Sequence, residues 1–339
     1  MAPDEQIEKQ PTRPRRHWKR NAALAAMAWA YLAAVVAIWI FLWQAGNRWW
    51  LEIVAMFAPR WVVGLPLLLL VPLAAKFRRR LLWILGAAAV VALFPVMGLC
   101  LPWSRLIESA TSAGTLRVLT CNIHGHALEA PRLAAVLSAE NPDIVVLQEW
   151  NPQFASAVFA APAWHIVTAQ DFCLASRFAI HPAMAVPAVP AVEYHVETPH
   201  GLLDVFNIHL ASPHAALGAT MHGVPNAASR LETNGVQRED EARRLHLILQ
   251  SKNGPVLVAG DFNLPGDCEV FRDNFSNLAD AFTTCGFGFG WTYYATWTTT
   301  RIDHILCSNQ CDCRRCWVGP FVGSPHRPVI ADISVDFLR

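Results

Sequence analysis

The sequence predicts a mixed α/β domain behind an N-terminal transmembrane helical region. Three observations predict it. Long uncharged apolar runs fill the first hundred residues, and short β-branched runs closed by polar residues recur after Thr115 between helical stretches. Charge divides the same way: residues 1–103 hold 12 Lys+Arg against 4 Asp+Glu, whereas 104–339 hold 15 against 22. The total of +1 therefore conceals a basic part and an acidic part of net −7. A length of 339 residues allows one large domain or two smaller ones, and 54% hydrophobic residues is high for a soluble chain.

Residues 1–21 form a basic cytoplasmic segment and 22–103 a transmembrane region of three helices, about 22–45, 53–75 and 81–103. The first and third runs carry no charge and are long enough for a hydrocarbon core of ~30 Å at ~1.5 Å per residue. The middle run, 61–75, is shorter and holds Pro66 and Pro72, so it spans only if preceding residues join it. Two spans alone would return the rest of the chain to the N-terminal side. Arg13, Arg15, Arg16, Lys19 and Arg20 precede the first run, and Lys76, Arg78, Arg79 and Arg80 precede the third. The positive-inside rule then puts the N-terminus and the 76–80 loop in the cytoplasm. Trp43, Trp49, Trp50, Trp61 and Trp103 fall at the outer interface, where amphipathic rings settle. The lipid bilayer is thus an expected partner and the C-terminal part is extracytoplasmic. A cleaved signal peptide competes with this reading, but the charged lead is long and the apolar run exceeds a signal core.

A short polar linker, 104–114, leads into a domain over 115–339. Its strand-like runs end on chemistry: LRVLTCN at Asn122, DIVVLQE at Glu149, LLDVFNIH at His209 and PVLVAGDFN at Asp261 and Asn263. RIDHILC opens on Asp303, and the last run follows His326. Helical stretches such as 131–140 and 237–251 punctuate them, which suggests a mixed sheet core. Each residue alone has a bland explanation, because a carboxylate or amide at a strand end more often caps a turn than binds a metal. Convergence at strand ends is what makes a site.

Six ordered motifs, LRVLTCNIHG, PDIVVLQEW, FNIHL, VLVAGDFNLP, TRIDHIL and SPHRPVIAD, resemble the endonuclease/exonuclease/phosphatase superfamily. The resemblance covers essentially all of 115–339 and implies a four-layer α/β sandwich of two packed mixed sheets, with the site at one rim. It implies a hydrolase of phosphodiester or phosphomonoester bonds that uses magnesium or manganese. Carried over, Glu149 is the metal carboxylate and Asn122 the neighbouring amide of the metal site, which ligates the metal or steadies the phosphate. Asp261 orients or deprotonates the attacking water, Asn263 donates to a non-bridging oxygen, and His209 contacts the phosphate. His326 is the terminal histidine, with Asp303 holding its tautomer; whether His326 or Asp261 takes the proton stays open. His304 is left as a structural histidine.

The family's usual final motif is Ser-Asp-His, and here Pro325 replaces the aspartate that normally lies at the metal. Asp332 is seven residues on, some 20 Å along a strand at ~3.3 Å per residue, too far to substitute. A working site with a retuned metal, a site completed by water or substrate, and a dead enzyme are the three consequences. The last corresponds to an alternative function, a membrane-anchored binding or sensing module. Cys311, Cys313 and Cys316 either bind zinc or include a disulfide to another strand, and Cys121 is expected in the core. The substrate is a phosphate ester, whether phospholipid, nucleotide or nucleic acid. Net −7 disfavours an extended polyanion. No protein partner is predicted.

Overall fold

A computed structural model describes residues 15–102, 115–125, 129–160, 164–295 and 298–337. The expected linker and Trp103 lie outside them. The chain divides into two compact units: Met1–Trp39 with Trp61–Val96, and Ile40–Arg60 with Met97–Arg339.

Trp18–Trp43, Arg60–Phe77 and Arg79–Val96, most of whose residues make up the first unit, are helical stretches long and apolar enough to cross a membrane. Leu68, Leu69 and Trp83 are 75%, 65% and 85% exposed. Such helices are apolar all round, as suits an apolar surrounding. The second stretch starts at 60 and not at the expected 53. Trp50–Met56 is a separate helix, and Pro59, with no N–H to donate, ends the turn that follows it. Ile53, Met56 and Phe57 are buried in the core of the second unit. The third stretch ends at Val96 and not at 103: Cys100 instead pairs with Gly288 through two backbone hydrogen bonds of 2.8 and 3.0 Å.

The second unit is therefore not confined to 115–339. Among the described residues, one sheet runs Cys311–Val318, Val329–Val335, Thr115–Asn122, Ile144–Gln148, Phe172–Ser176, His165–Ala169. The other runs Ala279–Asp280, Asp303–Cys307, Val256–Asp261, Gly201–His209, Ala191–Thr198, Ala179–Ile180, with Met184–Ala185 paired to Ala191–Thr198. Both are mixed. Alternation along each strand builds the layers, because successive side chains point to opposite faces. Val118, Ile144 and Val146 meet Val205, Leu257 and Ala259 between the sheets. Leu119, Cys121, Val145 and Leu147 face the other way, onto Leu133 and Leu137 of the Ala130–Glu140 helix. Phe206, Ile208 and Val258 face Leu231, Leu245 and Phe275 of the Ala227–Gln250 and Glu269–Phe275 helices. The result is helix, sheet, sheet, helix.

Each sheet holds a parallel pair, Thr115–Asn122 with Ile144–Gln148 and Gly201–His209 with Val256–Asp261. In open α/β sheets such carboxyl ends are where ligands bind. Asn122, Glu149, His209 and Asp261 come at these ends, and Asp303 joins them by pairing antiparallel with Asp261. Gly260 makes the second pair possible. Its φ is +148°, and a Cβ there would lie 2.1 Å from the Ile208 carbonyl oxygen.

Candidate active site

Asn122 is the hub of the rim. Its Nδ2 donates to Glu149 Oε1 at 2.9 Å and to Asp261 Oδ2 at 3.0 Å, holding two carboxylates side by side. Its Oδ1 accepts the His124 N–H at 2.9 Å, which fixes the amide's orientation. Glu149 has a left-handed backbone, φ 52°, as do His124 (51°) and Asn263 (50°). Non-glycine residues in that region are uncommon and cluster at functional sites.

The imidazoles close the other side. His326 Nδ1 lies 2.9 and 3.1 Å from the two Asp303 oxygens, and its Nε2 points towards Asp261 Oδ2 at 3.7 Å. His209 Nε2 lies 3.7 Å from the same Asp261 oxygen and 3.9 Å from Glu149 Oε1. These separations leave room for a bridging water or a phosphate oxygen. Ser324 ties the last motif to the hub: its Oγ donates to the Asn122 carbonyl at 2.7 Å and accepts the His326 N–H at 3.1 Å.

Electrostatics follows from burial and this grouping. Burial pushes the His326 pKa down, but the Asp303 and Asp261 carboxylates more than offset it and raise it to about 9. His326 is therefore a cation at neutral pH. Asp261 is raised above the ordinary carboxylate range by burial and by Asp303, against the opposing pull of His326 and His209. A carboxylate shifted up is a better proton acceptor. Asn263 donates its backbone N–H to Asp261 Oδ1 at 2.9 Å and one amide hydrogen to the Leu210 carbonyl at 2.9 Å, leaving its second amide hydrogen for a ligand.

The donor set fits a hard divalent cation on the Glu149 side. Glu149 Oε1 takes one hydrogen from Asn122, and the side chain remains 31% exposed, so the carboxylate keeps acceptor capacity. Magnesium needs only one or two carboxylates and keeps several waters. Asp261, Asp303 and His326 also bring ligand atoms within 4.8 Å of one another, but Asp303 is engaged on His326 Nδ1. Pro325 brings no ligand; its carbonyl accepts the Tyr294 N–H at 2.8 Å. Asp332 is bound to Arg117 at 2.6 Å.

All seven residues singled out in the sequence thus meet at one rim. His304 does not: it is buried, with Nδ1 on Asp280 at 2.9 Å and Nε2 on the Leu264 carbonyl at 3.1 Å. Cys121 is buried in the core with its thiol pKa pushed well up by burial. Of the CDCRRC cysteines, Cys313 is in a disulfide with Cys285, while Cys311 and Cys316 are free. Sequence reasoning missed Tyr293, whose ring lies edge-on to His326 with centroids 4.9 Å apart, and His214, stacked on Tyr293 at 4.2 Å. Nothing in WTYYA or LASPHAA marks them, because only tertiary packing brings them together.

Two packed mixed sheets, with carboxylates, amides and imidazoles gathered at one rim, define an α/β sandwich of the phosphoesterase type. The chain belongs to the endonuclease/exonuclease/phosphatase family, whose model matches residues 119–326. Members of that family hydrolyse phosphoester bonds. The fold is similar to that of a 3′ phosphatase from Neisseria bound to a product DNA hairpin, with 19% identity, 66% of this chain and 100% of that chain covered, and a TM-score of 0.51. It is also similar to a 3′-5′ exonuclease from Neisseria meningitidis, at 18% identity, with coverage of 66% and 100% and a TM-score of 0.50. A family protein from Bacteroides thetaiotaomicron matches at 16% identity, with coverage of 66% and 96% and a TM-score of 0.50. No curated protein sequence matches the chain.

Proposed function

We propose that the protein is a membrane-anchored, divalent-metal-dependent hydrolase of phosphodiester or phosphomonoester bonds that acts outside the cytoplasm. The observation that carries this is the meeting of the Asp303–His326 pair, Asp261 and the Asn122–Glu149 pair at one rim. Magnesium or manganese, held by Glu149, would neutralise phosphate charge when bound; the Asn122 amide oxygen faces the His124 N–H, so Asn122 orients the Glu149 carboxylate and is not itself the expected ligand. His326, cationic through its two carboxylate neighbours, and His209 hold the phosphate oxygens. Asp261 orients the attacking water and accepts its proton. Asn263 turns its second amide hydrogen to the phosphate as charge develops there. Support for the location comes from the three apolar helices, the basic residues before the first and third, and the Cys285–Cys313 disulfide, a bond that persists in oxidising compartments. Anchoring favours a phospholipid or another small phosphodiester over long nucleic acid, as does the acidic net charge.

The test is turnover of a chromogenic phosphodiester by the full chain in detergent micelles, with magnesium or manganese against chelator. Metal-dependent hydrolysis that falls at least about a hundredfold in His326→Ala and in Asp261→Asn supports the reading. A folded protein that is inert with either metal overturns it and favours the binding or sensing module that Pro325 suggests. Phospholipid vesicles set against DNA then separate the substrates.

A further inference from the structure

Residues 46–60 join the first two apolar helices, yet they belong to the compact unit that carries the site. Ile53, Met56 and Phe57 are almost fully buried, in one cluster with Phe206, Leu210 and Leu231. Asn47 presses its carbonyl oxygen onto the Ala227–Gln250 helix so closely that a Cβ on Gly235 would lie 1.9 Å from it. One turn on, Arg238 is fully buried and works as a clamp. It donates to Asn47 Oδ1 at 3.1 Å on the hairpin side, and to the Ala211 carbonyl at 2.6 Å and Asn234 Oδ1 at 2.7 Å on the other. Glu241 completes it by accepting the Ala211 N–H at 2.8 Å. Ala211 lies between His209 and His214, so one guanidinium ties the hairpin to the loop that leaves the active-site rim.

The same loop delivers a ring to the site. Phe57 meets His214 edge-on at 5.7 Å and 81°, and His214 stacks on Tyr293 at 4.2 Å and 17°. Tyr293 then meets His326 at 4.9 Å and 63°. Phe57 is fixed from behind as well, since its carbonyl accepts the Thr298 hydroxyl. The Asp303 hydrogen bond holds one edge of the His326 ring and leaves the ring plane free to tilt about it. Tyr293 blocks that tilt; its backbone is held by the two-residue strand Tyr293–Tyr294 and by the Tyr294 N–H on the Pro325 carbonyl and the Arg327 N–H on the Thr292 carbonyl, but these bonds leave the face of its ring to be held by packing. His214 supplies that packing. Burial lowers its pKa to about 3, so a neutral ring stacks there without repelling the His326 cation.

We infer that the 46–60 hairpin is part of the active centre, with Phe57 and His214 as positioning residues that act through Tyr293 to fix the ring plane of His326. The inference rests on the assignment of His326 to the reaction. It also makes a chain starting after the apolar helices an incomplete enzyme.

The test uses the full chain in detergent micelles, with His214→Ala, His214→Phe, Phe57→Ala and Tyr293→Ala, and reads kcat and KM separately. Misplacement of a reacting group costs rate before binding, so His214→Ala is expected to lower kcat about tenfold with KM changed less than about twofold. His214→Phe, which keeps a stacking ring, restores most of it. In a Tyr293→Ala background, His214→Ala and Phe57→Ala have no further effect, an outcome that general destabilisation would not give. A second readout needs no turnover: the proton resonance of His326 Nδ1–H, assigned by its loss in His326→Ala. It shifts or broadens in His214→Ala and recovers in His214→Phe. An unmoved resonance in His214→Ala overturns the inference whatever kcat does, and the functional reading survives if His326→Ala is still inert. If the native chain turns over no phosphoester, that reading fails, while the resonance still decides the positioning role.

Discussion

Replacing Asp303 by Asn removes the nearest carboxylate from His326 while keeping the shape of the pair. The native His326 pKa is raised from 6.5 to about 9, although burial alone pushes it down. That interval is roughly 3 kcal/mol at about 1.4 kcal/mol per pH unit. It is the net gain of the cation in the folded protein, with the burial cost already subtracted. A proton held more tightly when folded stabilises the fold fully below 6.5, and the contribution is lost as pH rises through about 9. In Asp303→Asn the burial penalty stands against Asp261 and Glu149 alone, so the pKa drops and the loss moves to lower pH. The assay is the unfolding midpoint of the full chain in detergent from pH 6 to 10, with chelator present so that no cation adds its own field. The seven free cysteines give an alkaline slope of their own, but it is common to both proteins and cancels in the difference. The variant is expected to be less stable below about pH 9, with the gap closing as pH rises through about 9; its pH-dependent part is roughly 3 kcal/mol for a variant whose His326 titrates at the ordinary value. A gap that stays constant with pH, or none at all, would refute the electrostatic account of His326.

Two further outcomes follow from neighbouring residues. His304→Ala removes the donor to the buried Leu264 carbonyl and one of the partners of Asp280, which keeps Arg301 and the Phe282 and Thr283 N–H groups, costing roughly 1–3 kcal/mol. The unfolding midpoint should fall while kcat per folded molecule stays within about twofold, and a large kcat loss at full folding would give His304 a place in the site. Pro325→Asp restores the carboxylate that the family carries at this point. It should lower the metal concentration for half-maximal turnover at least about tenfold, or about 1.4 kcal/mol, as read by metal titration. An unchanged metal requirement would mean that position 325 does not face the ion.

Six of the strands and the chemistry at their ends are legible in the sequence because local rules govern them. A short β-branched run marks each of these strands, and a polar residue after it marks where the strand stops. Asn122, Glu149, His209, Asp261 and Asn263 come from such positions, and Asp303 and His326 from the start of theirs. The apolar spans are legible for the same reason, since length and absence of charge are properties of a segment alone. The limits of the second span are not. Residues 53–57 are apolar enough to extend it, and only the packing of Ile53, Met56 and Phe57 against Phe206 and Leu231 assigns them to the unit of the two sheets. Tertiary structure alone also decided that Asn122 bridges two carboxylates, that Asp261 and Asp303 share His326, and that His214 and Tyr293 back its ring. These are contacts between residues tens to hundreds of positions apart. Hydropathy and spacing fix which face a side chain takes, but its distance to a group on another strand is set by how two sheets and a hairpin pack.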